Sequence, residues 1–284
     1  MDNDDEPVGR VLGRRQAIAI LGLSGMALTA AGSAGAASAE PRAADCVDCV
    51  VRPEMTEGPY FVDEGLNRSD IRTDPSDGSV SAGTTLALGL RVLRVDGRRC
   101  APLRGAVVDI WHCDALGAYS DIASEGTSGR KFLRGYQTGD RAGRVRFTTV
   151  LPGWYRGRTV HLHIKVQTTG TDGNPYEFTS QLYFTEEFKA EYLTAQPYAD
   201  KGTPDTTNAE DGIYQAGGAG DQMLLHPRRR GRGYVADFAI GLDLSDTAVG
   251  ADDGFGGGPP PGGGPGGPPG TGPGGPPPTE PPTS

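Results

Sequence analysis

Short apolar runs rich in Val, Ile, Leu, Thr and aromatic residues recur through the middle of the chain, broken by Gly, Asp and Pro. Several alternate apolar and polar residues with the period of two that half-buried strands show. The candidate strands are 84–95, 106–113, 143–150, 159–168, 179–184 and 234–244, and only 186–193 (EEFKAEYL) has a helical pattern. This series predicts an all-β fold, an antiparallel β-sandwich or barrel with few short helices.

The N-terminal end of the 284-residue chain has the pattern of a targeting segment. Residues 13–16 (GRRQ) precede an apolar, Ala- and Gly-rich run, which ends in the cleavage pattern Ala37-Ser38-Ala39. This order predicts a secretory signal peptide over 1–39, and the paired Arg14-Arg15 indicates the twin-arginine route. A membrane anchor is the weaker alternative, because a spanning helix needs about 20 strongly apolar residues. We therefore expect a secreted, extracellular protein with no membrane partner after cleavage.

The C-terminal end has a composition that cannot build a core. Of the 35 residues in 250–284, 26 are Gly or Pro, which predicts a disordered tail. The remaining residues 40–249 are enough for one domain with a sizeable core. The net charge of −9 argues against a nucleic-acid partner, and we interpret the basic run 226–232 (HPRRRGR) as a solvated loop.

Four cysteines lie after the predicted cleavage site: Cys46, Cys49, Cys100 and Cys113. An even number in an exported protein favours disulfides, and three pairings are possible. A zinc site that includes Cys46 and Cys49 is the weaker alternative, because the other two cysteines do not form a second C-x-x-C pair. We expect the first two cysteines to link the N-terminal segment to the strands near the last two, leaving no free thiol.

Two of the four histidines, His161 and His163, lie one residue apart in the predicted strand GRTVHLHIKV (157–166). Side chains at i and i+2 of a strand project to the same face. Packing both imidazoles would require two satisfied sets of hydrogen bonds, whereas histidine is a common metal ligand. The pair therefore favours a metal site. A phenol, Tyr155, lies six residues before His161, and a second, Tyr119, ends a Gly-x-Tyr turn further back in the chain.

At these residues the sequence resembles the intradiol ring-cleavage dioxygenases, in their small extracellular branch. The resemblance runs from the segment PEMTEGPY (53–60) to about residue 244. Its most specific segments are LRGAVVDIWHCDALGAYS (103–120), VLPGWYRGRTVHLHIKV (150–166) and TSQLYF (179–184).

The resemblance implies one non-haem Fe(III) ion per chain, held by Tyr119, Tyr155, His161 and His163. Arg158 and Gln181 match the two polar residues that accompany the substrate in the family. The donor set agrees with the chemistry of the metal, since hard ferric iron prefers anionic oxygen donors and can hold a tyrosine as phenolate. Tyr155 lies only six residues before His161, a shorter spacing than in the intracellular enzymes.

Further expectations concern the residues around this site. Pro59 and Tyr60 lie in a segment that lines the substrate pocket in relatives. Trp154 either stacks on the substrate ring or caps the core. Trp111 and His112 are expected to pack or to hydrogen-bond near the site without binding the metal.

The implied activity is cleavage of catechol-type aromatics by O2 between the two hydroxylated carbons, which yields muconate-type diacids. In this reaction Tyr155 leaves the iron when substrate binds, and Arg158 stabilises negative charge on the ring. The alternative is a secreted, non-catalytic β-sandwich that binds iron or aromatic ligands, but such a protein has no need for Arg158 and Gln181. The preferred catechol and the oligomeric state stay open.

Overall fold

A computed structural model describes residues 49–246 of the chain. The predicted signal peptide (1–39) and Gly/Pro-rich tail (250–284) lie outside the described residues, so the domain bounds 40–249 stay a prediction.

Within residues 49–246, ten strands form two five-stranded sheets. In the first sheet the order is β2-β1-β10-β9, with β5 also paired to β1. In the second sheet the order is β4-β3-β6-β7-β8. The strands are β1 (Thr85–Asp96), β2 (Arg99–Pro102), β3 (Val107–Trp111), β4 (Arg134–Thr138), β5 (Arg144–Val150), β6 (His161–Thr169), β7 (Pro175–Phe184), β8 (Leu224–Leu225), β9 (Arg228–Arg230) and β10 (Gly233–Leu242).

The all-β fold class is confirmed, and each of the six predicted runs overlaps a strand. Most pairings are antiparallel, but β1 and β10 run parallel over nine residue pairs, and β7 pairs with β8 in the same way. Residue alternation reports which face of a strand is buried, and it carries no information on the direction of the neighbouring strand.

The interpretation of 226–232 as a loop is wrong in part. Its arginines are exposed, as expected, but Arg228–Arg230 form the edge strand β9, paired antiparallel with the start of β10. Gly231 takes a positive φ of 60° between the two strands, so the chain can turn back on itself.

The helices are short. They are α1 (Glu186–Tyr192), α2 (Gly212–Gln215) and α3 (Ala219–Gln222), with three-residue or four-residue 3₁₀ segments at Ala123–Glu125, Tyr198–Lys201 and Ala216–Gly218. The predicted helix is therefore confirmed as α1, which begins after Thr185, whose hydroxyl accepts a hydrogen bond from the Phe188 amide. No helix among the described residues is long and apolar enough to span a bilayer.

The core lies between the two sheets. Because apolar side chains of each strand face the core, the side chains that alternate with them face the other side of the sheet. Each buried Leu, Ile or Val side chain contributes about 1.5–3 kcal/mol of transfer free energy, so the register of these strands is strongly specified. The residues that intervene on β6, His161, His163 and Lys165, therefore lie on the opposite face of the second sheet. The core residues of the two central strands include Leu86, Leu88, Leu90, Val92, Leu162, Ile164 and Val166.

A disulfide joins Cys49 to Cys100, which ties the segment before the first strand to β2. This confirms the expected link between the N-terminal segment and the strand at Cys100. The expectation of no free thiol is wrong, because Cys113 is free and fully buried, with its sulfur directed at the carbonyl of Gly153. Cys46 lies outside the described residues.

Candidate metal centre

The two histidines of β6 lie at the centre of a row of side chains across the second sheet. His163 is opposite Trp111 of β3 on one side and opposite Gln181 of β7 on the other, and His161 is opposite Tyr183. Directly paired residues share a face of the sheet. The pairing register therefore brings residues from three sequence segments to one place.

Both imidazoles present Nε2 to a common point. The Nε2 atoms of His161 and His163 are 3.1 Å apart, and the Tyr155 hydroxyl is 3.1 Å from Nε2 of His161. Nδ1 of His161 lies 2.7 Å from the carbonyl oxygen of Thr159, to which it can only donate. Nε2 of His161 is therefore the unprotonated nitrogen of that ring, which is the state a metal ligand requires.

Tyr119 and Tyr155 are brought together by close packing of two loops. Gly117 has a φ of 86°, and a Cβ atom there would collide with the carbonyl of Trp154. A Cβ atom on Gly153 would in turn collide with the carbonyl of Ala115. Because neither glycine carries a side chain, the loops touch backbone to backbone, and the Tyr119 and Tyr155 rings meet edge to face with centroids 5.6 Å apart.

Burial sets the protonation of these four side chains. It raises the pKa of Tyr119 and of Tyr155 well above the usual value for tyrosine. It also lowers the pKa of His161 and His163 well below the usual histidine value. The histidines are thus neutral and ready to bind a metal, whereas the phenols need a bound cation to become phenolates.

The residues present fit a ferric ion. Two metal–ligand bonds of about 2.1 Å at a right angle span about 3 Å, which matches the 3.1 Å separations between the donor atoms. The buried Tyr119 hydroxyl has no hydrogen-bond partner within residues 49–246, although an unpaired buried hydroxyl is costly. No group of three or more His, Cys, Asp or Glu suited to a metal occurs among residues 49–246, and the further donor atoms beside the two imidazoles are phenols.

Arg158 and Gln181 adjoin this cluster and bind each other. Nη2 of Arg158 donates to Oε1 of Gln181 at 2.6 Å, and the Tyr183 hydroxyl donates to the same oxygen at 2.9 Å. Nε2 of Gln181 donates to the carbonyl of Thr56 at 2.9 Å. Both polar atoms of the Gln181 amide therefore have protein partners, and its oxygen holds the guanidinium of Arg158 beside the candidate ligands. Arg158 also forms a 2.8 Å ion pair with the buried carboxylate of Asp211.

The surrounding aromatic residues divide into two groups. Tyr60 is buried and stacks on Tyr119 with centroids 4.4 Å apart, and Trp111 stacks on His163 at 4.8 Å. Trp154 packs instead against the main core, beneath Lys201, with its Nε1 donating to Gly202. Its geometry favours the core-capping interpretation, and Pro59 is exposed next to Tyr60.

His112 is buried, and both of its ring nitrogens have protein partners. Nδ1 lies 2.8 Å from the Cys113 carbonyl, and Nε2 lies 2.7 Å from the Thr149 hydroxyl. Burial lowers the pKa of His112 to about 4. With no free ring nitrogen, His112 makes hydrogen bonds near the site, as its position in the sequence predicted.

Comparison with known proteins agrees with this geometry. A family model described as Dioxygenase matches residues 56–198, half of the chain, and the match contains all four candidate ligands together with Arg158 and Gln181. The chain also superposes on a solved intradiol ring-cleavage dioxygenase from Tetranychus urticae with a TM-score of 0.58 and 29% identity, covering 69% of this chain and 96% of that one. The chain belongs to the intradiol ring-cleavage dioxygenase family.

Two further proteins are similar to this member of the intradiol dioxygenase family. The dioxygenase domain of a carbohydrate-binding protein fusion from Streptomyces sp. SirexAA-E is 28% identical, with a TM-score of 0.50, and the match covers 68% of this chain and 99% of that one. The catechol 1,2-dioxygenase of Acinetobacter baylyi is 28% identical over 162 residues, 48% of this chain and 51% of that protein. The chain thus spans about half the length of the curated relatives it matches.

The sequence patterns did not identify several groups that contribute to this intradiol dioxygenase site. Asp211 follows Arg158 by 53 residues and carries no motif of its own. The carbonyl of Thr56 is a backbone group, which a side-chain pattern cannot reveal. Tyr183 was interpreted as a core residue with a satisfied hydroxyl, which is confirmed, but the hydroxyl is satisfied by Gln181.

Proposed function

We propose that this protein is a secreted, non-haem Fe(III) intradiol dioxygenase that cleaves catechol-type aromatics with O2. The observation that carries the proposal is the convergence of Tyr155, His161 and His163 donor atoms at 3.1 Å separations. The Tyr119 hydroxyl, which has no hydrogen-bond partner in the described part of the chain, and the guanidinium of Arg158 lie beside them. Family membership and the catechol 1,2-dioxygenase relative support the substrate class.

The metal would be held by Nε2 of His161 and His163 and by the two phenol oxygens of Tyr119 and Tyr155. When bound, Fe(III) supplies the positive charge that keeps both phenols ionised at neutral pH and withdraws electron density from a bound catecholate.

Tyr155 is suited to take up a proton from the substrate. It is half-buried in a turn between Gly153 and Gly157, whereas Tyr119 is fully buried. The Tyr119 backbone is also held on both sides, since its amide donates to Glu125 and its carbonyl accepts from Thr127. A catechol hydroxyl can therefore pass its proton to the Tyr155 oxygen, which can move, while Tyr119 stays in place.

Arg158 is suited to stabilise negative charge on the substrate. Its guanidinium is always protonated and is held from two sides, by Gln181 and by Asp211. A charge that is already oriented stabilises developing negative charge without the cost of reorganisation. In this arrangement Gln181 acts through Arg158, since its amide oxygen accepts from Nη2 of that side chain.

The overall reaction balances with catechol and O2 alone. The bond between the two hydroxyl-bearing carbons breaks, each of these carbons becomes a carboxyl carbon, and both oxygen atoms of O2 enter the product. The ring loses four electrons and O2 gains four. The product is a cis,cis-muconate-type diacid, and no further reductant is required.

Oxygen consumption tests the proposal. Iron-loaded protein should be reddish from charge transfer between tyrosinate and Fe(III), and it should consume one O2 for each catechol while the diacid forms, followed by ultraviolet absorbance and mass spectrometry. Protein stripped of iron by a chelator should lose the colour and the oxygen uptake, and reloading should restore both. Coloured protein that binds catechol without oxygen uptake would instead identify a non-catalytic binding protein.

A further inference from the structure

Residues 202–211 run beside the loop that carries Tyr155 and Arg158, and we call this segment the strap. Trp154 Nε1 donates to the carbonyl of Gly202 at 3.2 Å, and the Gly157 amide donates to the carboxylate of Asp205 at 3.1 Å. Further along, the Thr159 hydroxyl donates to the side-chain oxygen of Asn208 at 2.6 Å. The strap therefore contacts the ligand loop along its whole length.

The strap ends at Asp211, whose carboxylate is completely buried. Oδ2 accepts from Nε of Arg158 and from the amide of Thr159, both at 2.8 Å. Oδ1 accepts from the amides of Ile213 and Tyr214 at the start of α2, at 2.9 and 3.0 Å. A buried carboxylate is costly unless it is paired and hydrogen-bonded. The carboxylate of Asp211 meets this condition, because it accepts bonds from a guanidinium and from three backbone amides.

One oxygen of Asp211 thus connects two groups at the site. It holds Arg158 through Nε, while Gln181 holds the same guanidinium through Nη2, so the plane of the guanidinium is determined from both edges. It also holds the amide of Thr159, whose carbonyl accepts from Nδ1 of His161 at 2.7 Å. Rotation of Arg158 away from the candidate ligands would break the ion pair with Asp211.

We infer that Asp211 is a positioning residue for Arg158. It does not touch the reacting atoms, and it acts by orienting the guanidinium that stabilises charge on the substrate. The inference rests on the proposed function, since it assigns Asp211 a part in turnover. The part of the strap before Asp211 supplies the scaffold: Lys189 of α1 is buried and binds both Thr159 and Asn208 through Nζ, at 2.6 and 2.7 Å.

A double-variant cycle with catechol as substrate tests the inference. Iron-loaded wild type, Asp211→Asn, Arg158→Ala and the double variant are compared by kcat, KM, iron content and anaerobic binding of catechol. Asp211→Asn should lower kcat by about 10- to 100-fold, while iron content and anaerobic catechol binding change by less than about threefold. In the Arg158→Ala background the same change should cost less than about twofold, because the partner is already absent.

Chemical rescue separates positioning from a structural role. Guanidinium ion added to Arg158→Ala should restore part of the rate when Asp211 is present, and it should restore none in the double variant. If Asp211→Asn does not fold, Asp211→Ser replaces it, because serine keeps an acceptor for the first amides of α2 and removes the carboxylate. The matched control is Glu210→Gln, an exposed neighbour whose carboxylate accepts from Thr207 and which should leave the rate unchanged.

Any of three results would refute the role of Asp211 without refuting the proposed function. They are full activity in Asp211→Asn, additive losses in the double variant, and iron loss in proportion to the loss of rate. A wild-type protein that is loaded with iron and consumes no oxygen would refute the proposed function, and the role of Asp211 with it.

Discussion

Nε2 of His161 faces Nε2 of His163 at 3.1 Å. Nε2 of His161 is unprotonated, because Nδ1 of that ring donates to Thr159, so Nε2 of a neutral His163 can donate to it in the metal-free site. Burial and the charge of Arg158 disfavour the charged form of His161, and burial and His161 itself disfavour the charged form of His163. A metal ion bound by both Nε2 atoms would leave the His163 proton on Nδ1, which has no hydrogen-bond partner among the described residues, and the first prediction follows from this pair.

His163→Ala should abolish iron binding. Removing one of two imidazole donors leaves a site with too few ligands, and protein purified in the presence of iron should then lack the visible band. Iron content measured by elemental analysis should fall by at least about tenfold. His226→Ala is the control, because His226 is exposed and should be dispensable. Stoichiometric iron in His163→Ala would show that the iron binds at a different site.

Tyr119→Phe and Tyr155→Phe should have different effects. Tyr119 is fully buried and its hydroxyl has no hydrogen-bond partner among the described residues, so its loss should weaken iron retention itself. Tyr155→Phe should keep part of the iron, alter the visible band and lose most of the turnover, because no phenolate then takes up the substrate proton. Spectra, iron content and oxygen uptake measure the three quantities. A Tyr155→Phe protein identical to wild type in all three would remove Tyr155 from the ligand set.

Cys113 should be a free thiol that is silent in the folded protein. Burial raises the pKa of this thiol, so little reactive thiolate forms at pH 8. Because Cys46 lies outside the described residues, the measurement is made in Cys46→Ser. Titration without reduction should find no reactive thiol in the native protein and one after denaturation. Adding Cys113→Ser should remove that one, whereas three thiols would mean that Cys49 and Cys100 are not bonded.

Asp74 should stabilise the fold in a pH-dependent way. Burial by itself would raise the pKa of this carboxyl, but hydrogen bonds from Ser76, Arg130 and Lys131 outweigh burial and lower the pKa to about 2, from 3.8. Because the folded pKa is the lower one, the carboxylate contributes stability above pH 4, and this contribution is lost as the pH falls towards 2. At pH 7 it amounts to about 2 kcal/mol.

Urea unfolding of Asp74→Asn and wild type measures this contribution. The difference in free energy of unfolding should be largest near pH 7 and should shrink as the pH falls from 4 to 2. Asp77→Asn is the control, since Asp77 is exposed and its ion pair with Arg130 is at the surface. A difference that does not vary with pH would show that the charge of Asp74 is not the source.

Export should depend on Arg14 and Arg15. Replacing both with lysine keeps the charge but removes the paired arginines that the twin-arginine route requires. Immunoblots of culture medium and cells should show the precursor retained inside, while Arg10→Lys should be secreted normally. Undiminished secretion of the double variant would exclude this route.

The local patterns of the sequence were sufficient for the elements and for the direction of the histidines. Apolar runs, several of them with period-two alternation, predicted six strands, each of which is present, and the alternation of side chains placed His161 and His163 on one face. Both inferences depend on neighbours within a few residues, so local geometry decides them. Tyr119, Tyr155 and Arg158 were assigned by matching short segments of the sequence to the motifs of the family, which also requires no tertiary structure.

The tertiary structure decided what depends on partners far apart in the chain. The parallel pairing of β1 with β10, the edge strand β9 in a run interpreted as a loop, and the buried free thiol of Cys113 all follow from which segments pack together. The same holds for Asp211, which lies 53 residues from Arg158 and reaches it because α1 and the strap return to the ligand loop. A carboxylate becomes a positioning group only when packing excludes water and leaves a guanidinium as its partner, and that condition is set by the assembled fold.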